Sequence, residues 1–208
     1  ERLDTSFVEH TLGYGDAPYD MIKDGFVEHG SIDSWWGFLV SFDADEPRSS
    51  HAWYEEACQT LDMASYIDWQ LINIFVASTD NHGHWNLVLL RLENEPWQFV
   101  MWDEDMVFID INIEADLFRF RSATGQAEFE EYLPPSIPAY PSAGYIRWGK
   151  MFSGLMKNSE FKKLFRQRYE LLVNGMLSSA SLRERINAIS LSQGTEMQRH
   201  AERWNWDS

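Results

Sequence analysis

The chain has 208 residues, 44% of them hydrophobic and 10 of them Trp, which fits one domain with a real core and excludes a disordered chain. A formal net charge of -16 and a pI near 4.6 argue against a nucleic-acid backbone as partner, because that needs clustered Lys and Arg. Cys58 is the only cysteine, so no intrachain disulfide exists, and no apolar run approaches the roughly 18 residues of a membrane span.

Residues 1–30 are mixed, with turn signals at Gly13, Gly15, Pro18, Gly25 and Gly30. Ser31 or Asp33 can cap a helix that carries Trp36, Leu39, Val40 and Phe42 on one face. Pro47 ends that pattern, and Ser49 or Ser50 opens a short helix reaching Gln59. Asp62 caps the clearest helix of the chain, with Ile67, Leu71, Ile74, Phe75 and Ser78 at helical spacing. Two apolar runs, 87–90 and 97–102, flank the polar turn Glu93-Asn94-Glu95-Pro96 and predict a β-hairpin. Pro134, Pro135, Pro138 and Pro141 mark an irregular segment, and from Gly144 the chain is helical again. Asn158 or Ser159 caps a helix through Phe161, Leu164, Phe165, Arg168, Leu171 and Leu172, which Gly175 ends. Two further helices are expected, Ser181–Gln193 and Thr195–Trp204. The expected class is α+β, mostly helical, with a small β-hairpin.

Chemistry concentrates on the two sides of that hairpin. Asp80 lies in Ser78-Thr79-Asp80-Asn81-His82-Gly83-His84-Trp85-Asn86, and the second cluster is Trp102-Asp103-Glu104-Asp105. The order Asp, Asn, hairpin, Asp-x-Asp supplies what phosphoryl transfer needs. One carboxylate orients the attacking hydroxyl, while an amide and a second carboxylate hold magnesium on the phosphates. Taken alone, Asp80 reads as the cap of the next turn, and the second cluster as a solvated acidic turn. In an extended stretch, however, residues i and i+2 share a face, so Asp103 and Asp105 would converge while Glu104 points away. Like charges held that close are unfavourable unless a cation or a proton sits between them. Asp80, His82 and His84 alternate as three zinc-type ligands, the basis of a metal-hydrolase reading, although loop histidines in acidic proteins are more often surface groups. Trp35, Trp36, Trp53, Trp69 and Trp85 read as core packing in preference to sugar stacking. Lys150, Lys157, Lys162 and Lys163 read as a solvated face.

At these residues the chain resembles the spore-coat protein H (CotH) kinases, atypical members of the protein-kinase-like fold. Asp80 with Asn86 looks like that family's loop into a hairpin, and Trp102-Asp103-Glu104-Asp105 like its Trp-Asp-x-Asp motif. Residues 61–68 look like the helix before the catalytic loop, and 161–169 and 200–204 like the closing helices, so the resemblance covers most of the chain. The sequence departs from the pattern twice: the loop from Asp80 to Asn86 is about one residue longer, and Phe108 precedes Ile109 where the family often has an aromatic-Gly pair.

The resemblance implies a kinase-like large, C-terminal lobe over 1–208 as one domain, with the N-terminal small lobe absent from this chain. No Gly-rich phosphate loop occurs, and Gly13-Tyr14-Gly15 reads as a turn. It further implies ATP-dependent phosphorylation of protein Ser/Thr hydroxyls with Mg2+ or Mn2+, Asp80 being catalytic. Asn86 and Asp103 would hold the metal, with Asp105 as second ligand or support. A divalent ion is close to obligatory for so acidic a protein to receive ATP. Spore coat, cell surface or secretion is the implied location. The alternative is a non-catalytic, kinase-like surface or binding module. With half of the nucleotide pocket missing, residues 1–208 alone are expected to transfer little phosphate.

Overall fold

Strands form where apolar residues alternate between turn residues that tolerate left-handed backbone, and four of them make one antiparallel sheet. The computed structural model describes residues 4, 6–15, 17–33, 35–36, 49–81, 86–105, 107–108, 114–134 and 143–204. The chain divides into two units, residues 1–165 and 166–208. In the first, β1 (Tyr19–Lys23), β2 (Phe26–His29), β3 (Val88–Leu92) and β4 (Gln98–Val100) form a sheet in the order β2-β1-β3-β4. The β3–β4 hairpin is the one expected from the two apolar runs. The β1–β2 hairpin was not expected, because residues 1–30 carry little helical or strand periodicity. Its signal is the Asp24-Gly25 pair, both with positive φ (52° and 82°), the residue pair that two-residue hairpin turns favour.

Register places three strand ends in one row. Lys23 pairs with Val88, and Val88 with Val100. Asp24, Asn86–Leu87 and Met101–Asp103 therefore leave the sheet at the same end. Asp24 seals that end, since its N–H donates to the Leu87 carbonyl (2.9 Å) and its Oδ1 accepts from the Leu87 N–H (3.1 Å).

The alternation of the strands gives the sheet two apolar faces. On one face Tyr19, Met21, Val88 and Leu90 pack with Val8, from a helical turn Phe7–Thr11, and with Phe7, Tyr14 and Trp102. On the other, Phe99 meets Tyr66 and Trp69 at ring distances of 5.0 Å each, and Trp35 stacks on Trp148 at 5.9 Å. Tyr66 and Trp69 come from α2 (Met63–Phe75), which follows α1 (His51–Thr60). Both helices start as their sequences predict. Ser50 Oγ accepts from Trp53 N–H, and Asp62 Oδ1 accepts from the N–H groups of Ala64 and Ser65.

Two short helices, α3 (Leu117–Arg121) and α4 (Gln126–Glu131), went unpredicted because each is too short to show a period. They bury Phe120 against Phe129. Helix α5 (Ala143–Leu155) brings Trp148, Met151 and Phe152 into the core. Its Gly149 permits close approach, since a Cβ there would lie 1.9 Å from the Ala123 carbonyl oxygen. Asn158 caps α6 (Ser159–Asn174) by accepting from Glu160 and Phe161 N–H, and donates back to the Ser49 and Ser50 carbonyls.

The second unit contains the later part of α6 and α7 (Ser179–Trp204). Gly175 lies beyond α6 as expected. The expected pair of helices after it is instead one helix of 26 residues that runs through Gly194. Extending a helix through a glycine costs about 1 kcal/mol, less than nucleating a new helix. Leu39, Val40, Phe42, Pro47, Pro135, Pro138 and Pro141 lie outside the described residues. No helix among the described residues is long and apolar enough to cross a membrane.

Candidate functional site

Helix α2 ends at Phe75, and the chain turns sharply through Ala77, whose φ of 53° is left-handed, so that Ser78 N–H returns to the Asn73 carbonyl (2.9 Å). This turn directs residues 78–81 toward the end of the sheet where β1 and β4 finish and β3 begins. Asn86 re-enters the sheet, also left-handed (φ 55°), and its Nδ2 donates to Asp80 Oδ2 at 2.8 Å. That bond leaves Oδ1 as the remaining acceptor of the amide.

Asp103 is left-handed as well, with φ 54°, and Glu104 and Asp105 form a turn. The expectation that an extended backbone aligns Asp103 with Asp105 is therefore corrected. The two carboxylates are presented by a turn, yet both act on the same neighbour. The Asp80 carboxyl lies above its ordinary range, first through burial and then through the charges of Asp105 and Asp103; the Asn86 hydrogen bond pulls it down, and Asp24 pushes it further up.

Glu104 does turn away from this group, into the protein. Its Oε1 accepts from Asn81 Nδ2 at 2.7 Å. Burial raises the Glu104 carboxyl, while Ser78, Asn81 and the Arg121 charge lower it. Arg121 is only 6% exposed, and burial pulls its guanidinium down to about 10, which leaves it charged at neutral pH. Sequence reasoning found neither Asn81 nor Arg121, nor Asp24 beside Asp80. Asn81 adjoins Asp80 and could have been singled out, but Arg121 sits in a stretch with no motif.

The donor set is chemically suited to a hard divalent cation. Asp80, Asn86, Asp103 and Asp105 offer oxygen ligands, and among the described residues no Lys or Arg ion-pairs with the three carboxylates. Among the described residues no group of three or more His, Cys, Asp or Glu could hold a metal on its own. Magnesium is commonly held by one or two carboxylates together with waters and substrate phosphates, so these residues fit a site shared with a phosphorylated ligand. His82 and His84 lie outside the described residues.

A family model described as CotH kinase protein matches residues 28–206. No curated protein and no solved structure matches the chain.

Proposed function

The chain belongs to the CotH kinase protein family, and from that premise we propose that it forms the large lobe of an atypical, protein-kinase-like phosphotransferase. The reaction is transfer of the γ-phosphoryl group of ATP to a Ser or Thr hydroxyl of a protein substrate. A new O–P bond forms to the hydroxyl oxygen, the bond to the ADP oxygen breaks, and Asp80 orients the hydroxyl and accepts its proton. The observation that carries this reading is the Asn86–Asp80 hydrogen bond at 2.8 Å, beside which burial first, and then the charges of Asp105 and Asp103, raise the Asp80 carboxyl. The Asn86 amide holds the Asp80 carboxylate in place as the acceptor of the hydroxyl proton.

Asn86 and Asp103 would hold a magnesium or manganese ion, with Asp105 as second ligand or support. A bound divalent ion would supply neutralising charge on the ATP phosphates. Asn86 has a second task in this scheme, since its amide N–H fixes the rotamer of Asp80. The left-handed backbone at Asn86 and Asp103 suits residue types that tolerate it and sets where both side chains leave the sheet.

The test is transfer of labelled γ-phosphate from ATP by the full-length protein, with divalent metal, to protein Ser or Thr. Asp80→Asn should lower kcat by about 100-fold or more with little change in nucleotide affinity. Transfer that survives this change sinks the assigned role of Asp80. No transfer by the wild type under any divalent metal leaves the alternative, a non-catalytic surface or binding module.

A further inference from the structure

Next to, but outside, the acidic group, the side chain of one buried amide, Asn81, has all its polar atoms bonded, while Glu104 Oε2 nearby is buried without a partner among the described residues. Asn81 immediately follows Asp80 and is fully buried. Its Nδ2 donates twice, to the Trp102 carbonyl at 3.0 Å and to Glu104 Oε1 at 2.7 Å, the residues on either side of Asp103. Its Oδ1 accepts from Trp69 Nε1 at 3.1 Å, and its own carbonyl accepts from Arg121 Nη1 at 2.9 Å. Arg121 is in turn held by Gln70 Oε1 at 2.6 Å and lies over the Trp69 ring, 4.6 Å from its centre. Gln70 donates to Tyr66 OH at 3.0 Å. One side chain thus ties the loop of Asp80 to both flanks of Asp103 and, through Trp69, to α2, while a buried cation ties the Asn81 backbone to the same helix.

We propose that Asn81 and Glu104 are positioning residues that hold Asp80 and Asp103 at a set separation, with Arg121 as their anchor in the core. This deepens the phosphotransfer reading and rests on it. The charges of Asp103 and Asp105 each oppose ionised Asp80, and a left-handed Asp103 on a turn has no strand ladder to restrain it. Without a tie the two loops would relax apart, and an ion shared between them would lose a ligand. Buried amides with all their groups bonded are rigid, because breaking any one bond strands a partner in a poorly solvated place. Outer partners of metal-binding side chains act in this way and typically change metal affinity by about 10–100-fold when removed.

The experiment measures Mn2+ affinity by electron paramagnetic resonance, with and without ATP, at a temperature where every variant is folded by circular dichroism. Glu104→Ala and Glu104→Gln remove the same charge, but only Gln keeps an oxygen for Asn81. Expected is a loss of about tenfold or more in Mn2+ affinity for Glu104→Ala, against about twofold for Glu104→Gln. Asn81→Leu should match Glu104→Ala, and the double variant should be no worse than the worse single one. Equal affinities for the two Glu104 variants would overturn the proposal, because charge alone would then explain the effect. Wild-type affinity in a folded Asn81→Leu would overturn it too. If Asn81→Leu does not fold, the Glu104 pair decides. Failure of the underlying reading looks different. There the wild type binds no Mn2+ with or without ATP, or Asp103→Asn leaves Mn2+ binding unchanged, and the positioning role falls with it.

Discussion

Among the described residues, five non-glycine residues around the site hold a left-handed backbone: Asp24, Ala77, Asn86, Asp103 and Phe108. Asn and Asp reach this region at small cost because their short polar side chains bond locally, whereas Ala and Phe have no such relief. Strain of this kind gathers where the fold over-determines a loop, and here it aims the strand and helix ends at one place. Ala77 isolates the cost. A left-handed Ala is disfavoured by about 1–2 kcal/mol, and glycine's extra freedom in the unfolded chain returns about 0.5–1 of that. Ala77→Gly should therefore raise stability by about 0.5–1 kcal/mol, read as a higher urea midpoint with an unchanged slope. A lower midpoint would mean that the turn is not left-handed in solution. The charges act at the same scale. Because the Asp80 carboxyl is raised above its ordinary value of 3.8, the native state favours its protonated form. Ionised Asp80 is thus a penalty at neutral pH, and that penalty is relieved as pH falls through its folded pKa.

Among the elements, caps and periods did most of the specification. Ser50, Asp62 and Asn158 each accept backbone N–H groups at the helix starts that their residue types signal. Gly194 shows where this logic stops. The two expected helices part at this residue, but nothing lies within 4 Å of a Cβ built there, and α7 continues through it. No turn or close contact requires a glycine at this position. Gly194→Ala should accordingly strengthen α7 by about 0.5–1 kcal/mol, seen as greater helical ellipticity and slower amide exchange around residue 194. Reduced ellipticity would place a break in α7 after all.

For the molecule as a whole, net charge and metal are coupled. With a formal charge of -16, the fold carries net repulsion, and at Asp80 the charges of Asp105 and Asp103 add to it. A divalent ion bound only by the native state stabilises it by mass action. At roughly ten times its dissociation constant the gain is about 1.4 kcal/mol. For a chain of this size that is a rise of about 3–6 °C in Tm. Asp103→Asn should slightly raise the metal-free Tm by removing one repelling charge, and should abolish most of the magnesium-dependent rise. Glu104→Gln should leave that rise largely in place, since its side chain faces Asn81. Equal responses from the two variants in a magnesium melting titration would mean that the acidic cluster is an ordinary solvated turn.

The starts of α1, α2 and α6, the β3–β4 hairpin and the order Asp80, Asn86, Asp103, Asp105 were legible in the amino-acid sequence. Caps, turn residues and apolar periods act within a few residues of themselves, so they can be read without knowing the fold. The β1–β2 hairpin was within reach of the same reading through Asp24-Gly25. What could not be read is the set of bonds that join distant segments. Arg121 lies 40 residues from Asn81 and 51 from Gln70, and Asp24 lies 63 from Leu87. No local pattern marks such partners, because a buried Arg or Asn is stable only once other segments satisfy it. The turn at Asp103 is of the same kind. Its left-handed backbone accompanies the inward course of Glu104, whose Oε1 accepts from Asn81, a partner 23 residues away.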